Sequence, residues 1–417
     1  MNILVVGSGG REHAICDAFS RNQKVEKLFC ANGNAGIAAV AECVPIKPEE
    51  TGKLADFASG EKVDLTFIGG ETALALGVVD EFEKHGLKTV GPSRAAARLE
   101  SSKAFSKDFM VRHGVRTAKY FVVDSHGKAQ YVLADEYQSN PVVLKADGLA
   151  AGKGVAVCKN LDEALKALEE LEIIAGKSAT ERIVIEEFLR GKEISLMMFA
   201  DGDDFALMPP TRDHKRIGEG DTGPNTGGMG TFTDDSLLSP DDTQRIIDTI
   251  IKPTLRGCIA EGFPFRGILF LGLMMTASGP KLLEYNVRFG DPETQSILVR
   301  LETDLVEICE AMLNGHLGKS QIKWKPGSSA TIVLAAEGYP HDPRKGDVIS
   351  GLDDVEGVKV FHAGTARNEA SEIVTAGGRV LGITAVGSDL QQALSIAYGQ
   401  AAKISWEGMQ YRRDIGK

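Results

Sequence analysis

The first hundred residues alternate short apolar runs with stretches of helical periodicity. The opening ILVVG leads through a glycine turn into the helical pattern GREHAICDAF. Further apolar runs at residues 27–31, 64–68 and 87–90 are separated by helical patterns such as residues 72–84. Strands that alternate with helices form a parallel sheet covered by helices. The pattern therefore predicts an N-terminal α/β domain.

The pattern changes in the middle of the chain. It predicts a long helix at residues 93–113, followed by a small α+β module that ends in the apolar strand ERIVIEEF. After a predicted loop at 209–230 and a helix at 240–261, GILFLGLMMTASGPKLLEYNVRF predicts a hairpin with its turn in SGP. Short strands and turns beyond Pro326 predict a separate β-rich domain.

The composition is that of a folded protein with more than one domain. The chain has 417 residues, of which 43% are apolar and 25% are charged. This length exceeds one ordinary core, and this composition excludes extended disorder. The formal net charge of −11, without a basic run that contains aromatics, gives no general attraction for nucleic acid. Anionic ligands must therefore be held by local basic side chains and backbone N–H groups.

The sequence carries no signal for a membrane or for disulfides. No apolar run approaches the roughly 18 residues of a membrane span, and the six cysteines lack a C-x-x-C pair. We therefore expect reduced core cysteines, no membrane partner and a cytoplasmic protein.

Three small-residue turns follow strands of the predicted parallel sheet. GSGGREH fails as a dinucleotide fingerprint because Glu12 stands where a glycine is required. A glycine turn at a helix N-terminus still binds a simple phosphate, and Arg11 adds charge. NGNAG and GGET follow two further strands, and such turns meet at one edge of a sheet. Their convergence predicts a phosphate site; a bare turn with a surface arginine is the alternative.

A glycine-rich loop later in the chain lies between two lysines. In KADGLAAGKG, Lys145 ends a strand, Gly148, Gly152 and Gly154 free the backbone to fold over a ligand, and Lys153 lies at the tip. The loop is not a P-loop, because the G-K-[ST] ending is absent. The pattern is typical of a loop that covers a nucleotide and equally of a flexible hairpin turn.

The stretch IVIEEFLRGKE places carboxylates between two apolar strands. Glu186, Glu187 and Glu193 are acceptors suited to an adenine amine or ribose hydroxyls, and the irregular backbone near Leu189 can contact the edge of a base. Glutamates on a solvated surface are the alternative interpretation.

In LLEYNVRFGDPE, oxygen-bearing side chains alternate along a probable strand. Glu284 and Asn286 are two residues apart and therefore point to one face, which Arg288 continues. Hard oxygen ligands on one face suit Mg²⁺, which uses few protein ligands together with nucleotide phosphates. Arg288 is then placed to reach a phosphoryl group. A solvated polar face is the alternative.

These motifs occur in the order and spacing of the ATP-grasp superfamily. Longer stretches make the resemblance narrower: GSGGREH, GNAG, SKAFSKDF, KADGLAAGKGV, IEEFLRGKE, DHKR, DTGPNTGGMG and RFGDPETQ are similar to the glycinamide ribonucleotide synthetase family. The resemblance runs from Met1 to about Ile415. It implies an N-terminal Rossmann-like, pre-ATP-grasp domain at 1–100. An ATP-grasp α+β domain at 101–325, with a lid at about 120–190, and a β-rich domain at 326–417 would follow.

The family resemblance implies an ATP-dependent ligase. Glycine would be activated by ATP to glycyl phosphate and attacked by the amine of 5-phosphoribosylamine, giving glycinamide ribonucleotide in de novo purine synthesis. The implied cofactors are ATP and Mg²⁺ or Mn²⁺, and we expect a monomer or a weak dimer. Another ATP-grasp carboxylate–amine ligase and a catalytically silent ATP-binding regulator remain alternatives. The failed fingerprint argues against a dinucleotide oxidoreductase.

The resemblance also implies a role for each matching residue. Residues implied for ATP are Lys103, Lys145, Gly148, Gly152, Lys153, Gly154, Glu186, Glu187, Leu189 and Glu193. Residues implied for the substrates are Gly9, Gly10, Arg11, Glu12, Asn34, Gly36, Glu71, Asp213, His214, Lys215, Arg288, Gly290 and Asp291. Arg288, Lys153 and Asp213 would be catalytic, and Glu284 and Asn286 would bind the metal.

A few positions depart from the family pattern. GGETAL and ANGNAG lack the usual prolines, so both turns are expected to be less preorganised. Arg212 replaces the usual residue before DHKR and adds charge beside the predicted substrate site. Residues 267–275 contain no carboxylate, so a second metal ion would need another ligand source.

Overall fold

The computed structural model describes residues 1–138, 140–148, 154–175 and 182–417. The N-terminal part contains nine strands and helices, which are β1 (Asn2–Gly7), α1 (Gly10–Ser20), β2 (Lys27–Asn32), β3 (Glu42–Val44), α2 (Thr51–Gly60), β4 (Leu65–Ile68), α3 (Glu71–Ala75), α4 (Val78–Lys84) and β5 (Thr89–Val90). The strands form one parallel sheet in the order β3-β2-β1-β4-β5. The predicted parallel sheet is confirmed, and the three glycine turns follow β1, β2 and β4.

Two predicted helices are each broken into two. The helix predicted at 72–84 is wrong, because Gly77 between α3 and α4 has a φ of +84°, a left-handed conformation that glycine adopts at low cost. The helix predicted at 93–113 is also wrong: α5 (Arg94–Ser101) ends at Ser102, whose extended backbone begins α6 (Lys103–Arg112). The Ser102 side chain caps α6 by accepting a hydrogen bond from Phe105 N at 3.2 Å.

The α+β module forms a small antiparallel sheet with two helices. Its elements are β6 (Tyr120–Val123), α7 (His126–Glu136), β7 (Val142–Ala146), β8 (Val155–Cys158), α8 (Leu161–Ala175) and β9 (Ile183–Glu187). The strand order is β6-β9-β7-β8. This four-stranded sheet has its own apolar core, formed by residues such as Leu133, Leu144 and Ile185.

The rest of the chain builds one nine-stranded sheet and two separate two-stranded sheets. The elements before residue 326 are β10 (Lys192–Asp201), β11 (Asp204–Leu207), β12 (Thr211–Asp213), β13 (Arg216–Gly218), β14 (Thr222–Asn225), β15 (Gly230–Thr233), α9 (Pro240–Ile246), α10 (Lys252–Ala260), β16 (Arg266–Thr276), β17 (Gly279–Asn286), α11 (Glu293–Leu298) and α12 (Leu305–Leu313). The elements after it are β18 (Ser328–Ala335), β19 (Lys359–His362), β20 (Thr365–Arg367), β21 (Ile373–Thr375), β22 (Arg379–Gly387) and α13 (Leu390–Ala401). The strand order is β17-β16-β10-β12-β15-β18-β22-β19, with β11 paired to β10.

The hairpin of β16 and β17 is confirmed. The loop predicted at 209–230 is wrong, because it contains β12, β13 and β14, each only three or four residues long. The helix predicted at 240–261 is interrupted by a π-helical turn at Ile247–Ile251.

The sheet crosses the predicted boundary at residue 326, since β15 pairs with β18. The three-part division of the chain therefore stays a prediction, although the predicted fold class is confirmed. Apolar packing also joins the parts, because Leu4 of β1 and Leu271 of β16 belong to one core. Among the described residues, no helix is both long and apolar enough to cross a membrane.

Candidate active site

A cleft of about 800 Å³ lies between the four-stranded sheet and the nine-stranded sheet. Its lining includes side chains from α5 and α6, from β7 and β9, from β12 to β14, and from β16 and β17. It contains as many basic as acidic side chains. A chain with net negative charge thus has one place where lysines and arginines can hold anions.

The inner wall of the cleft carries a buried carboxylate between two lysines. Glu186 lies 2.9 Å from Lys145 Nζ and 3.0 Å from Lys107 Nζ. Burial raises the pKa of Glu186, but the two lysines lower it by more, so its net pKa lies below the ordinary value. Burial lowers the pKa of Lys107 to about 8. Glu186 is therefore the counter-ion that keeps Lys145 charged at the cleft wall.

Asp147, where the glycine-rich loop begins, is hydrogen-bonded to residues at the break between α5 and α6. Asp147 Oδ1 accepts hydrogen bonds from Ala104 N at 2.7 Å and from Ser102 Oγ at 3.0 Å. Lys103 Nζ donates to Gly148 O at 3.1 Å. The break thus places Lys103 beside the loop and at the cleft. Gly154 also lines the cleft.

Gly152 and Lys153 lie outside the described residues, so the predictions made for them stay predictions.

The stretch after β9 follows the cleft edge, as the sequence predicts. Glu187 Oε1 accepts from Lys281 Nζ at 2.7 Å and from Lys119 N at 2.9 Å. Leu189 and Glu193 also line the cleft. Glu193 forms an ion pair with Lys215. This edge offers apolar surface, carboxylates and backbone groups to a flat heterocycle and its sugar.

Glu284 and Asn286 line the same cleft from β17. Burial raises the pKa of Glu284, but Lys145, Lys215 and Lys103 lower it by more, so the carboxylate is ionised at neutral pH. No group of three histidine, cysteine, aspartate or glutamate side chains in the described ranges could hold a metal ion. The two oxygen donors Glu284 and Asn286 are ligands of the type that Mg²⁺ uses together with nucleotide phosphates.

Arg288 is held between two carboxylates. Its Nε lies 3.3 Å from Glu71 Oε2 and its Nη2 lies 3.0 Å from Glu100 Oε1. Burial raises the pKa of Glu71, but Arg288 and Arg11 lower it by more, to about 2. Burial raises the pKa of Glu100. These carboxylates orient the Arg288 guanidinium toward the cleft that also contains Glu284.

The first glycine turn is organised around Glu12. Its Oε2 accepts from Gly9 N at 2.6 Å, and its Oε1 accepts from Arg11 Nε at 2.6 Å. A Cβ at Gly7, Gly9 or Gly69 would lie within 3 Å of the Glu12 side chain. Glu12 therefore fills the space between two of the turns and has a structural role. Arg11, which also donates to Phe289 O at 2.9 Å, lines the cleft.

Several predicted residues are not among the described residues that line the cleft, namely Gly9, Gly10, Glu12, Asn34, Gly36, Gly148, His214 and Gly290. Asn34 uses its side chain within the fold: Nδ2 donates to Ser8 O and His362 O, both at 2.8 Å. His214 is buried with a pKa lowered by burial to about 4, and its Nε2 accepts from Gly416 N at 3.3 Å. The structure does not bring either side chain to the cleft.

The acids near β12 and α11 form a second buried group. Asp213 Oδ1 is buried and has no hydrogen-bond partner among the described residues. Burial and the nearby Glu293 raise the pKa of Asp213. A Cβ at Gly228 would lie 2.7 Å from Asp213 Oδ1, and one at Gly290 would lie 2.5 Å from Glu293 Oε2. The two glycines thus leave room for these carboxyl groups.

The cleft residues missed in the sequence include four charged side chains, Glu100, Lys107, Glu293 and Arg379. Lys107 lies one helical turn after Lys103, a spacing that indicates a shared face. Glu293 ends the FGDPE motif, in which Gly290 and Asp291 were assigned to the substrates and Glu293 was not. Nothing local marks Arg379, which comes from β22 to pair with Asp291 at 3.1 Å.

The cleft between the two antiparallel sheets, with cations around a pair of oxygen donors, defines an ATP-grasp protein. Family models of phosphoribosylglycinamide synthetase match the chain in three parts: the N domain at 1–100, the ATP-grasp (A) domain at 101–294 and the C domain at 329–417.

Curated relatives and solved structures agree with the family models. A phosphoribosylamine–glycine ligase of Vibrio vulnificus is 49% identical over 425 residues, covering 100% of this chain and 98% of the relative. One of Pseudomonas aeruginosa is 48% identical over 424 residues, covering 100% and 97%. The crystal structure of phosphoribosylamine–glycine ligase from Thermotoga maritima covers 100% of both chains, with a TM-score of 0.86 and 35% identity.

A more distant structure shares the fold alone. The biotin carboxylase domain of Hydrogenobacter thermophilus 2-oxoglutarate carboxylase, in complex with MgADP, ADP and bicarbonate, has a TM-score of 0.74 at 17% identity and covers 98% of this chain and 91% of its own. The chain belongs to the phosphoribosylglycinamide synthetase family, and it is a ligase with an ATP-grasp domain.

Proposed function

We propose that this ligase joins glycine to 5-phosphoribosylamine, converting ATP to ADP and phosphate and giving glycinamide ribonucleotide for purine synthesis. The observation that carries the proposal is the position of Arg288. It lies in one cleft with the ionised Glu284 and Asn286 on one side and with Arg11 and Glu71 of the glycine turns on the other. A phosphoryl donor and a second anionic substrate can therefore meet at Arg288.

The nucleotide belongs to the side of the cleft that contains Lys103 and Lys145. These cations suit the phosphates of ATP, and Leu189 with Glu187 and Glu193 suits the adenosine. Lys145 is kept charged by Glu186, so Glu186 acts through Lys145 rather than on the base. Gly148, Gly152, Lys153 and Gly154 belong to the loop proposed to cover the phosphates.

The metal proposed for the site is Mg²⁺ or Mn²⁺, held by Glu284 and Asn286. When bound with ATP, the metal ion neutralises charge on the phosphates. Lys145, Lys215 and Lys103 already balance Glu284 electrostatically. The nucleotide phosphates therefore meet a surface whose own charge is nearly compensated.

The reaction needs two bond exchanges. A glycine carboxylate oxygen forms a bond to the γ-phosphorus of ATP as the bond to ADP breaks, giving glycyl phosphate. The amine nitrogen then bonds to the glycyl carbon, phosphate leaves, and one amine proton must be accepted. Arg288 is positioned to stabilise the transferred phosphoryl group. Asp213, whose buried Oδ1 has no described partner, is the proposed acceptor of that proton.

The phosphoribosylamine end belongs to the glycine turns. Arg11 is the proposed phosphate contact, with Glu71 and Asp291 nearby, while Lys215 lines the same cleft and pairs with Glu193. Gly9, Gly10, Asn34, Gly36, His214 and Gly290 shape the surrounding backbone. The expected cytoplasmic location and the monomer or weak dimer stay predictions.

The proposal is tested by ADP release from purified protein with MgATP. The rate of ADP release should rise well above background only when both glycine and freshly generated 5-phosphoribosylamine are present. Release with glycine and another amine would favour the alternative of a different ATP-grasp ligase. Binding of ATP without release under any of these conditions would favour a silent ATP-binding regulator.

A further inference from the structure

The last residues of the chain lie against the β13–β14 hairpin. Arg412 is buried, and its Nη1 donates to Arg216 O at 3.1 Å and to Asp221 Oδ1 at 2.7 Å. Its Nε and Nη2 donate to the carboxylate of Asp414, each at 2.7 Å. One guanidinium therefore connects the first strand and the turn of the hairpin to the C-terminal segment.

Neighbouring contacts reinforce this connection. Gly220 N donates to Asp414 Oδ2 at 2.8 Å, and Arg413 N donates to Glu219 Oε1 at 3.1 Å. The ion pair between Arg412 and Asp221 is only partly buried, since the Asp221 side chain is 61% exposed. We call the contacts of Arg412 and Asp414 with the hairpin the C-terminal clasp.

The β13–β14 hairpin stands apart from the main sheet. Its two strands pair only with each other and do not join the nine-stranded sheet. Asp221 has a φ of +55°, a left-handed conformation that costs free energy for a residue other than glycine. The ion pair with Arg412 offsets that cost. Without this ion pair, the turn at Asp221 would be less stable.

The hairpin forms part of the cleft wall. Arg216, Asp221 and Asn225 line the cleft, and the carbonyl oxygen of Gly227, just after β14, accepts a hydrogen bond from Arg379 Nη1. Arg379 also pairs with Asp291, beside the glycine turns. Through Gly227 and Arg379, the hairpin is therefore connected to Asp291 beside the glycine turns.

We propose that Arg412 is a positioning residue, which holds the β13–β14 hairpin over the half of the cleft where the amine substrate binds. The expected change in KM rests on the proposed function, whereas the expected change in the stability of the hairpin does not. Arg412 does not itself line the cleft among the described residues, so its effect must pass through Arg216 and Asp221.

The test compares Arg412→Met with Arg300→Met. The side chains of Arg300 and Arg412 are each 2% exposed. Arg300 also has several partners, Lys325 O at 3.1 Å, Thr233 Oγ1 at 3.0 Å and Asp235 at 3.2 Å, but it does not line the cleft. Both variants remove a buried guanidinium and should lower thermal stability, whereas only Arg412→Met releases the hairpin.

Two quantities are measured in both variants: amide hydrogen exchange of residues 216–225, and KM for 5-phosphoribosylamine and for MgATP. Loss of charge-assisted bonds should speed hairpin exchange and raise KM for the amine about tenfold in Arg412→Met, with KM for MgATP nearly unchanged. Arg300→Met should change neither. Asp414→Asn, which removes charge from only one side of the clasp, should give a smaller change in the same direction and carries the test if Arg412→Met does not fold.

Unchanged hairpin exchange in the folded clasp variants would overturn the proposal, as would an equal rise of KM in Arg300→Met. If the wild-type protein released no ADP, the proposed function would fail while hydrogen exchange still decided the role of the clasp.

Discussion

Glu12 is informative in the sequence for one reason and in the structure for another. Its position rules out a dinucleotide fingerprint, which the sequence alone establishes. Its packing is visible only in the structure, where the missing Cβ atoms of Gly7, Gly9 and Gly69 make room for its side chain. Gly69 is distant in sequence, so this packing could not be predicted from the turn itself.

The ion pairs inside the cleft also could not be predicted from the sequence. The pattern on β17 predicted one shared face for Glu284, Asn286 and Arg288, because alternation along a strand is local information, and all three line the cleft. Arg288 is oriented by the carboxylates of Glu71 and Glu100, which belong to α3 and α5, far earlier in the chain. Such partners become visible only when the fold brings the elements together.

Replacing Glu284 by Gln should lower kcat/KM for MgATP by about a hundredfold or more, because the site loses its ionised metal ligand. The variant keeps the side-chain volume, so thermal unfolding monitored in parallel should show a folded protein. Glu261→Gln, which removes an exposed partner of Arg112, is the matched control and should retain wild-type kinetics. Near-normal turnover of Glu284→Gln would remove the metal assignment.

At the scale of elements, periodicity predicted strands and helices better than their interruptions. The parallel strands and the β16–β17 hairpin follow from apolar runs and turn residues. The break at Ser102 was missed because residues on both sides favour a helix, and the interruption is stabilised from outside by Asp147. The short strands β12, β13 and β14 have too few residues for an alternating pattern to be recognised.

The break at Ser102 predicts a specific effect on ATP. Ser102→Ala removes the cap of α6 and the bond to Asp147, so it should destabilise the protein by about 1 kcal/mol. It should also raise KM for MgATP about threefold to tenfold, because Lys103 follows directly and becomes misplaced.

Ser239→Ala provides the control for Ser102→Ala. Ser239 caps α9 by accepting from Asp242 N at 3.1 Å, on an exposed helix away from the cleft. This variant should lose similar stability in urea unfolding yet keep the wild-type KM. Equal kinetics in both variants would show that the break does not position Lys103.

At the scale of the whole molecule, the C-terminal part completes the cleft rather than standing apart from it. β18 extends the sheet of the ATP-grasp part, and Arg379 of β22 reaches Asp291. The sequence predicted a β-rich C-terminal part but not this continuity, because strand partners distant in sequence leave no local pattern.

Buried histidines also join distant parts and predict a pH dependence. His362 N donates to His13 Nδ1 at 2.8 Å. Burial lowers the pKa of His13 to about 3 and that of His362 to about 4. The unfolded chain, in which histidine has a pKa of about 6.5, therefore binds protons that the folded chain does not. Stability from each histidine is complete above pH 6.5 and falls as the pH decreases toward 4.

Urea unfolding between pH 6.5 and 4.5 measures this dependence. His13→Asn keeps an acceptor for His362 N but cannot titrate, so its free energy of unfolding should fall less steeply than that of the wild type, by up to about 1.4 kcal/mol per pH unit. The exposed His341→Asn serves as the control and should follow the wild type. Parallel curves for His13→Asn and wild type would contradict the assignment of His13 as a buried neutral group.

The central claim is that ATP activates the glycine carboxylate in this cleft. Its most direct test uses glycine labelled with ¹⁸O in both carboxylate oxygens, with MgATP and 5-phosphoribosylamine, followed by mass analysis of the released phosphate. Transfer through glycyl phosphate predicts one ¹⁸O atom in each phosphate formed. Phosphate without label, formed together with glycinamide ribonucleotide, would contradict the acyl phosphate route.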